Sequence, residues 1–191
     1  MLIPHLHKAL PLPASIPQVP TSNETFKFLT MIYNTSLDKT AKFTTIGITI
    51  MFALMIGLQV SIIGDSGNVV PILTIITIFF SYFMVFAFRP ISYELTDTKL
   101  IIHRLLKNVV IDRDKIKSAE FVDKEKLSFL LRLFAVGGLF GYFGKFSNNE
   151  FGRMSLYATR RDKNILLQTI DNKKFILTPN DTEKFLAEFN K

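Results

Sequence analysis

Two long blocks of residues without a charged side chain dominate this sequence. Residues 44–63 read TTIGITIMFALMIGLQVSII, and residues 69–88 read VVPILTIITIFFSYFMVFAF. A helix needs about 20 apolar residues to cross the roughly 30 Å of hydrocarbon in a bilayer, and each block supplies that length. Two buried core helices are the alternative, but uncharged runs of this length are rare in soluble domains. We therefore predict transmembrane helices at residues 43–63 and 69–88.

The charges around the two blocks indicate how they are oriented. Lys39 and Lys42 precede the first block and Arg89 follows the second, whereas the connecting loop, residues 64–68, contains Asp65 and no Lys or Arg. Cytoplasmic segments carry the excess of Lys and Arg, so both chain termini are expected in the cytoplasm and the loop outside. The prediction is a multi-pass protein of the cytoplasmic (inner) membrane. The absence of cysteine agrees with this location and excludes disulfides and thiolate metal sites.

The lead before the first block, residues 1–42, carries little sign of regular structure. Five prolines fall within residues 1–24, and proline disrupts the interior of a helix. We predict disorder up to about residue 24, and a disordered or cytoplasmic lead as a whole. Two alternatives stay open for this region. Residues 26–33 could form a short amphipathic segment on the membrane surface, and translation could begin at Met31 instead of Met1.

Beyond residue 90 the hydrophobic pattern changes to the period of two that is typical of β-strands. Strands are predicted at residues 92–95, 99–106, 108–111, 117–122, 154–158, 164–170 and 173–177. A helix is predicted at the C-terminus, where Thr178 can cap the first turn and Pro179 suits the first helical position. Its apolar face would consist of Phe185, Leu186 and Phe189. The sequence thus predicts an α+β domain at residues 91–191, with about seven strands and a terminal helix.

A glycine-rich stretch, residues 135–146 (AVGGLFGYFGKF), is the most unusual part of this domain. It is not a Walker A loop, because Leu139 stands where that motif needs glycine and Phe146 replaces its Ser or Thr. The spacing does not fit the dinucleotide fingerprint either. The uncharged run is too short to span a membrane, although a re-entrant or interfacial segment stays open as an alternative. We predict a short helix at residues 126–134 and then a structural loop. The glycines of this loop are Gly137, Gly138, Gly141 and Gly144.

Several ordered blocks of the sequence carry a resemblance to one protein family. They are YELTDTKLIIHR, GGLFGYFG, LYAT, ILLQT and LTPNDTEKFLAEF in the domain, preceded by SLDKTAKFTT before the first transmembrane block. In this order they resemble a bacterial pleckstrin-homology (PH) domain of the membrane-attached type, over about residues 36–191. The resemblance implies a strongly bent antiparallel barrel of seven strands, capped by the C-terminal helix. It brings no catalytic residues, and it implies a binding module whose ligands are mostly unknown.

No pattern in the sequence points to catalysis, a metal or a cofactor. His5 and His7 stand two apart in the proline-rich lead without further ligands, and His103 lies in a predicted strand, where a surface role is the simpler interpretation. The acidic pairs of the domain alternate with Lys or Arg, which favours solvated ion pairs. We therefore predict a non-enzymatic protein with no catalytic residue, no metal site and no cofactor.

The domain is basic, and its position suggests what attracts this charge. Residues 89–191 contain 19 Lys and Arg against 13 Asp and Glu. Beside a membrane this charge favours anionic lipid headgroups, and nucleic acid is not expected because no nucleic-acid motif is present. Only Arg89 and Pro90 separate the second transmembrane block from the first strand, so the domain must lie against the bilayer. Following the strands from there places Arg89, Arg104 and Lys107 on the membrane side as candidate headgroup contacts.

The leading functional hypothesis is a PH-like binding or scaffolding module that a helical hairpin holds on the cytoplasmic face of the membrane. Its expected partners are the lipid bilayer and other membrane or cytoplasmic proteins. One alternative is an accessory subunit of a membrane transporter, with Gly47 and Gly57 packing against partner helices. Another is a membrane enzyme that acts on lipid or envelope precursors. The ligand, the oligomeric state and the physiological process are not predicted.

Overall fold

The computed structural model describes residues 30–66 and 69–190, without the side chains of residues 64–66. In chain order the elements are β1 (Met31–Asn34), α1 (Lys39–Ser66), α2 (Val70–Phe88), β2 (Ser92–Leu95), β3 (Lys99–His103), β4 (Val109–Asp112), β5 (Ile116–Val122), β6 (Leu131–Gly137), β7 (Tyr142–Asn148), β8 (Gly152–Ala158), β9 (Asn164–Thr169), β10 (Lys174–Leu177) and α3 (Thr182–Phe189). Short 3-10 turns lie at Arg113–Lys115 and Lys124–Leu127. The disorder predicted up to about residue 24 falls outside the described residues, as do His5 and His7.

The first two helices are long and apolar enough to cross a membrane. The candidate spans are Lys39–Ile63 and Val70–Phe88, whose most apolar stretches of 18 residues have mean hydropathies of 2.3 and 2.2. Their hydroxyl side chains are satisfied within the helices, because each of five donates to the carbonyl four residues earlier: Thr49, Ser61, Thr74, Thr77 and Ser81. The hydroxyls of Thr49 and Tyr82 also lie 2.7 Å apart across the helix pair. These hydroxyl groups are therefore hydrogen-bonded without water, as an apolar environment requires.

The strands form two separate sheets. The first has the order β1-β2-β3-β4, and the second has the order β5-β9-β10-β8-β7-β6. All neighbours are antiparallel except β10 and β8, which run parallel. The predicted fold class is confirmed, since two long apolar helices precede a β-rich domain that ends in a helix. The two sheets pack as a bent sandwich and are not closed into one continuous barrel.

Strand β1 joins the segment before the helices to the domain after them. It pairs with β2 in antiparallel register, with Tyr33 opposite Tyr93. The helix pair is therefore an insertion between two neighbouring strands of one sheet. The described part of the lead, which the sequence analysis assigned to a disordered or cytoplasmic segment, is folded: Tyr33 is buried, and its ring packs edge-on against Phe185 of α3 at 5.1 Å.

The main core lies between the two sheets and α3. Its buried residues are Tyr33, Tyr93, Leu95, Leu100, Ile102, Ile111, Ile165, Leu167, Leu177 and Phe185. Tyr93 ties the sheets together, because its hydroxyl donates to the Tyr157 carbonyl at 2.5 Å and accepts from the Thr178 N–H at 3.2 Å. Burial raises the pKa of Tyr93 to about 12, so the hydroxyl stays neutral and available as a donor.

A second core covers the opposite face of the six-stranded sheet. Its buried residues are Ala41, Val122, Tyr142, Phe146, Met154, Leu156, Ala158, Leu166 and Ile176. Part of the cover comes from Ala41 of α1 and from Leu37 just before it. The start of the first helix is thus packed on the sheet, and it belongs to the folded domain as much as to the helix pair.

The helix predicted at residues 126–134 is wrong. Only Lys124–Leu127 turns as a 3-10 helix, and the chain is extended in β6 from Leu131. The hydrophobic period of a short apolar run does not distinguish a helix from a strand. Here the segment forms a strand because β6 pairs with β7 along its length. The glycine stretch is accordingly a β-hairpin instead of a loop laid over the sheet.

Glycine is required where this hairpin bends. Gly144 has φ +117°, and a Cβ there would lie 2.5 Å from the Phe134 carbonyl oxygen in the neighbouring strand. The tip of the hairpin, residues 138–141, closes with a hydrogen bond from the Gly138 N–H to the Gly141 carbonyl at 2.8 Å. Gly138 and Gly141 also have positive φ, so three of the four predicted glycines stand in backbone conformations that disfavour other residues.

The C-terminal helix begins later than predicted. Its N-cap is Asp181, whose side chain accepts from the Lys184 N–H at 3.1 Å. Thr178 and Pro179 are fully buried before the helix, and the Thr178 hydroxyl accepts from the Thr159 N–H. Both residues are therefore part of the buried sandwich and do not start the helix. The hydrogen bond to Thr159 uses the side chain that could otherwise have capped the helix.

The bridge made by Tyr93 gives a testable prediction. Tyr93→Phe removes the donor to the Tyr157 carbonyl and the acceptor of the Thr178 N–H, both buried between the sheets. We expect a loss of about 1–3 kcal/mol in unfolding free energy, measured by thermal unfolding of the full-length protein in a mild detergent. Tyr157→Phe is the matched control, since the Tyr157 hydroxyl makes no hydrogen bond within the described residues. Equal unfolding temperatures for the two variants would contradict the bridge.

Candidate functional site

The face of the domain that meets the helix pair is where a membrane-bound role would be exerted. We call this region the helix junction. It consists of the segment 35–38 before α1, the turn 104–107 after β3, and the hairpin tip at residues 138–141. Each part contacts a different stretch of α1 or α2, so the domain is held at three places.

Asp38 forms the first contact. As the N-cap of α1, its carboxylate accepts from the Ala41 N–H at 2.7 Å, and the Lys42 N–H binds its carbonyl at 3.0 Å. The same carboxylate accepts from the Tyr142 hydroxyl at 3.3 Å and from the Arg161 N–H at 3.1 Å. Burial, together with the nearby negative charge of Asp38, raises the pKa of Tyr142. One side chain thus both starts the helix and fastens it to the sheet.

The rest of this segment is hydrogen-bonded to the domain as well. The Thr35 hydroxyl donates to the Ile91 carbonyl at 2.8 Å, just after α2. Ser36 donates from its hydroxyl to Asn180 at 2.7 Å, and its carbonyl accepts from the Thr159 hydroxyl at 2.9 Å. The chain entering α1 therefore has little freedom to move away from the chain leaving α2.

The hairpin tip forms the second contact. Phe140 is buried, and its ring lies edge-on to Tyr82 at 5.1 Å and to Phe86 at 5.3 Å. Its N–H donates to the Thr45 hydroxyl at 3.0 Å. A Cβ on Gly138 would lie 3.0 Å from the Thr44 side chain, so the backbone of the tip packs closely against α1. The glycines allow the tip to lie in the groove between the two helices.

The predicted headgroup contacts surround the end of α2. Arg89 follows α2 directly, with its guanidinium 4.4 Å from the centre of the Phe86 ring, and burial lowers its pKa. Arg104 stands 5.5 Å from the centre of the Phe88 ring, and its Nε donates to the Lys107 carbonyl at 2.6 Å. The Leu106 N–H binds the Ala87 carbonyl at 3.4 Å.

The structure therefore brings all three predicted cations to one end of the helix pair. Between them, the turn exposes Leu105 and Leu106 with 53% and 52% of their surface accessible. Exposed leucines flanked by cations suit the boundary between headgroups and hydrocarbon.

Sequence reasoning missed the residues that fasten the domain to the helices. Asp38 could have been found, because an Asp immediately before an apolar helix is a common N-cap. Phe140 and Thr45 gave no such signal, since their pairing depends on a hairpin that folds back over 95 residues of sequence separation. Among the described residues, no group of three or more His, Cys, Asp and Glu side chains could hold a metal ion.

Replacing Asp38 should loosen the helix junction. Asp38→Ala removes the N-cap of α1 and the acceptor of Tyr142 and Arg161, and loss of a cap alone costs about 0.5–2 kcal/mol. We expect a lower unfolding temperature for the full-length protein in mild detergent, and partial recovery in Asp38→Asn, which retains a capping side chain. Asp97→Ala, in the exposed turn after β2, is the control. Equal unfolding temperatures for Asp38→Ala and Asp97→Ala would show that Asp38 does not stabilise the helix junction.

In comparison with protein families, residues 91–191 match the family described as Bacterial PH domain. No curated protein and no solved structure matches the chain. The matched residues run from just after α2 to the C-terminus and include every strand except β1, and they comprise more than half of the chain. The family resemblance in the sequence is thus confirmed, and the two apolar helices before the domain fit a membrane-attached form. The chain belongs to the bacterial PH domain family.

Proposed function

We propose that this protein is a membrane-anchored, non-enzymatic binding or scaffolding module on the cytoplasmic face of the membrane. Family membership supports a binding module, and the two candidate spans support membrane association. The observation that carries the proposal is the pairing of β1 with β2 across the inserted helix pair. This arrangement makes the domain and its anchor one folded unit.

The topology follows from this insertion. Because β1 precedes α1 and β2 follows α2, the outer ends of both helices must lie on the side of the domain. Lys39, Lys42 and Arg89 stand at those ends, and the positive-inside rule assigns them to the cytoplasm. The domain would then lie on the cytoplasmic surface, with both chain termini on the same side.

The headgroup contacts belong to the same proposal. Lys107 is exposed, and Arg104 is half-buried beside it, at the level where α2 ends. Each cation near an anionic membrane surface contributes roughly 1 kcal/mol of attraction. With Leu105 and Leu106 at the hydrocarbon boundary, Arg89, Arg104 and Lys107 would hold the domain in one orientation. The sheet surface facing the cytoplasm would stay free for membrane or cytoplasmic protein partners.

Membrane integration and topology can be measured together. We expect the full-length protein to stay in the membrane pellet after alkaline carbonate extraction, because two apolar helices resist removal. Tags at either chain end should be digested only after the inner membrane is opened. Affinity purification in mild detergent should then recover a reproducible protein partner. Release into the carbonate supernatant, or digestion of either tag in intact spheroplasts, would refute the anchoring.

Charge reversal tests the headgroup contacts. In nanodiscs containing phosphatidylglycerol, hydrogen exchange of the turn 104–107 should be slower than in phosphatidylcholine nanodiscs. Arg104→Glu/Lys107→Glu should abolish this difference, because repulsion replaces attraction at the surface. The control is Lys99→Glu/Lys117→Glu, which makes the same change of charge at exposed positions away from α2. The same lipid dependence in both double variants would rule out these headgroup contacts.

A further inference from the structure

An open cavity of about 340 Å³ lies on the face of the six-stranded sheet that carries the second core. Its floor is formed by Tyr142 and Phe146 of β7 and by Leu156 and Ala158 of β8. All four floor residues are buried. The second 3-10 turn and the segment that leads from it to β6 provide an apolar wall with Leu127 and Leu130. The volume and apolar lining fall in the range of small-molecule sites.

The rim of this cavity is positively charged. Lys124, Arg132, Arg160 and Arg161 line it, and no Asp or Glu is among the lining residues. Arg160 is neutralised by Asp162, with its Nε 2.6 Å from a carboxylate oxygen. Within residues 30–66 and 69–190, the side-chain nitrogen atoms of the other three cations form no ion pair with a carboxylate. The nearest negative charge at this end is Asp38, which accepts from the backbone N–H of Arg161 at 3.1 Å. Three cationic side chains without an ion-pair partner therefore line the mouth of an apolar cavity.

Two of these cations lie near Tyr142: Arg161 stands over its ring, and Arg132 lies beside Gly137, the residue paired with Tyr142 between β6 and β7. The Arg161 guanidinium lies 4.5 Å from the centre of the Tyr142 ring, and Arg132 also acts electrostatically on the Tyr142 hydroxyl. The Arg132 guanidinium extends along its own strand and donates to the Gly137 carbonyl at 3.4 Å. Two guanidinium groups that flank one end of a cavity form a suitable pair for a phosphate or carboxylate group.

The cavity begins at the helix junction. Tyr142 in its floor donates to Asp38, the N-cap of α1. Gly137 on its rim adjoins Gly138, which packs against Thr44 of α1. The charged end of the cavity therefore lies where the first helix leaves the domain, and the uncharged part of α1 starts within a few residues. In a membrane this end would stand at the level of the headgroups.

Phe129 adds a feature that the fold does not require. It lines the cavity, its side chain is 94% exposed, and its backbone has φ +52°. A bulky side chain in the left-handed region is uncommon and costs energy. Because it packs so little against the fold, this aromatic ring is available for contact with a molecule in the cavity.

We propose that this cavity binds one anionic phospholipid drawn from the cytoplasmic leaflet. The phosphate group would lie between Arg132 and Arg161, with Lys124 contributing charge from the rim. An acyl chain would lie on Phe146 and Leu156, under Leu127 and Leu130, with Phe129 closing over it. The inference rests on the proposed membrane anchoring for the source of the lipid, and it assigns a ligand class to the binding module.

Lipid retention by the purified full-length protein tests this proposal. In micelles of a non-ionic detergent, native mass spectrometry should detect one dioctanoyl phosphatidic acid per chain. Arg132→Gln/Arg161→Gln should weaken this retention at least tenfold, because the phosphate loses both guanidinium partners. Arg153→Gln/Lys117→Gln is the matched control, since both side chains are exposed and neither lines the cavity. Equal retention by the two double variants would overturn the proposal.

Three further ligands distinguish the chemistry that is recognised. Dioctanoylglycerol has the chains without the phosphate, inorganic phosphate has the charge without the chains, and octanoate is a free fatty acid. We expect each to compete at least tenfold less well than dioctanoyl phosphatidic acid. The assignment to a phospholipid would be overturned if dioctanoylglycerol, inorganic phosphate or octanoate competed as strongly as dioctanoyl phosphatidic acid.

A second variant guards against loss of folding. A Cβ on Gly137 would lie 2.7 Å from the Arg132 guanidinium, which is the flexible end of a side chain. Gly137→Ala should therefore displace Arg132 and weaken retention while the unfolding temperature stays unchanged. Unchanged retention in this variant would count against the role of Arg132.

The lipid assay and the anchoring experiment can fail independently. Lipid binding in micelles does not depend on how the protein is oriented in a membrane, so a negative result there leaves the anchoring proposal standing. Release of the protein during carbonate extraction would refute the anchoring, and it would not change the number of lipid molecules bound per chain in micelles.

Discussion

The pairing of β1 with β2 is the constraint on which the rest of this structure depends. These strands stand next to each other in one sheet, yet two helices of membrane-spanning length separate them in the sequence. Backbone hydrogen bonds between β1 and β2 therefore hold the entry of α1 and the exit of α2 together. A domain attached by a single flexible linker could rotate over a membrane surface. A domain whose own sheet contains both ends of the helix pair cannot.

The helix junction reinforces this constraint with contacts of different kinds. Asp38 supplies charge and hydrogen bonds at the start of α1, and Phe140 supplies aromatic packing in the groove between α1 and α2. The Arg104 guanidinium stacks beside Phe88 at the end of α2. Because these contacts lie at the ends of the helices, they also set the height of the domain relative to the uncharged residues. The position of the domain relative to the uncharged residues is what would bring both the proposed headgroup contacts and the proposed lipid cavity to the level of the lipid headgroups.

Much of the fold could be predicted because its signals are local. The two uncharged blocks, the period-two strands after residue 90 and the basic residues at the end of α2 are all visible in short windows. The predictions that were wrong concern segments whose structure depends on distant partners. Residues 126–134 have an apolar pattern that suits a helix, and pairing with β7 makes part of them a strand. Thr178 suits a helix cap, and hydrogen bonds to Thr159 and Tyr93 place it in the sandwich instead.

The sequence by itself determined that two helices are long and apolar enough to cross a membrane and that a basic, strand-rich domain follows them. Length and charge suffice for this, since hydrophobic burial and the cost of an unpaired charge in hydrocarbon act on each segment separately. Only the tertiary structure decided that Met31–Asn34 belongs to the domain, that the glycine hairpin lies against the helices, and that Arg132 and Arg161 flank one cavity. Each of these depends on contacts between residues far apart in the chain. Such contacts form only when the whole sandwich buries its core, and no single window of sequence contains them.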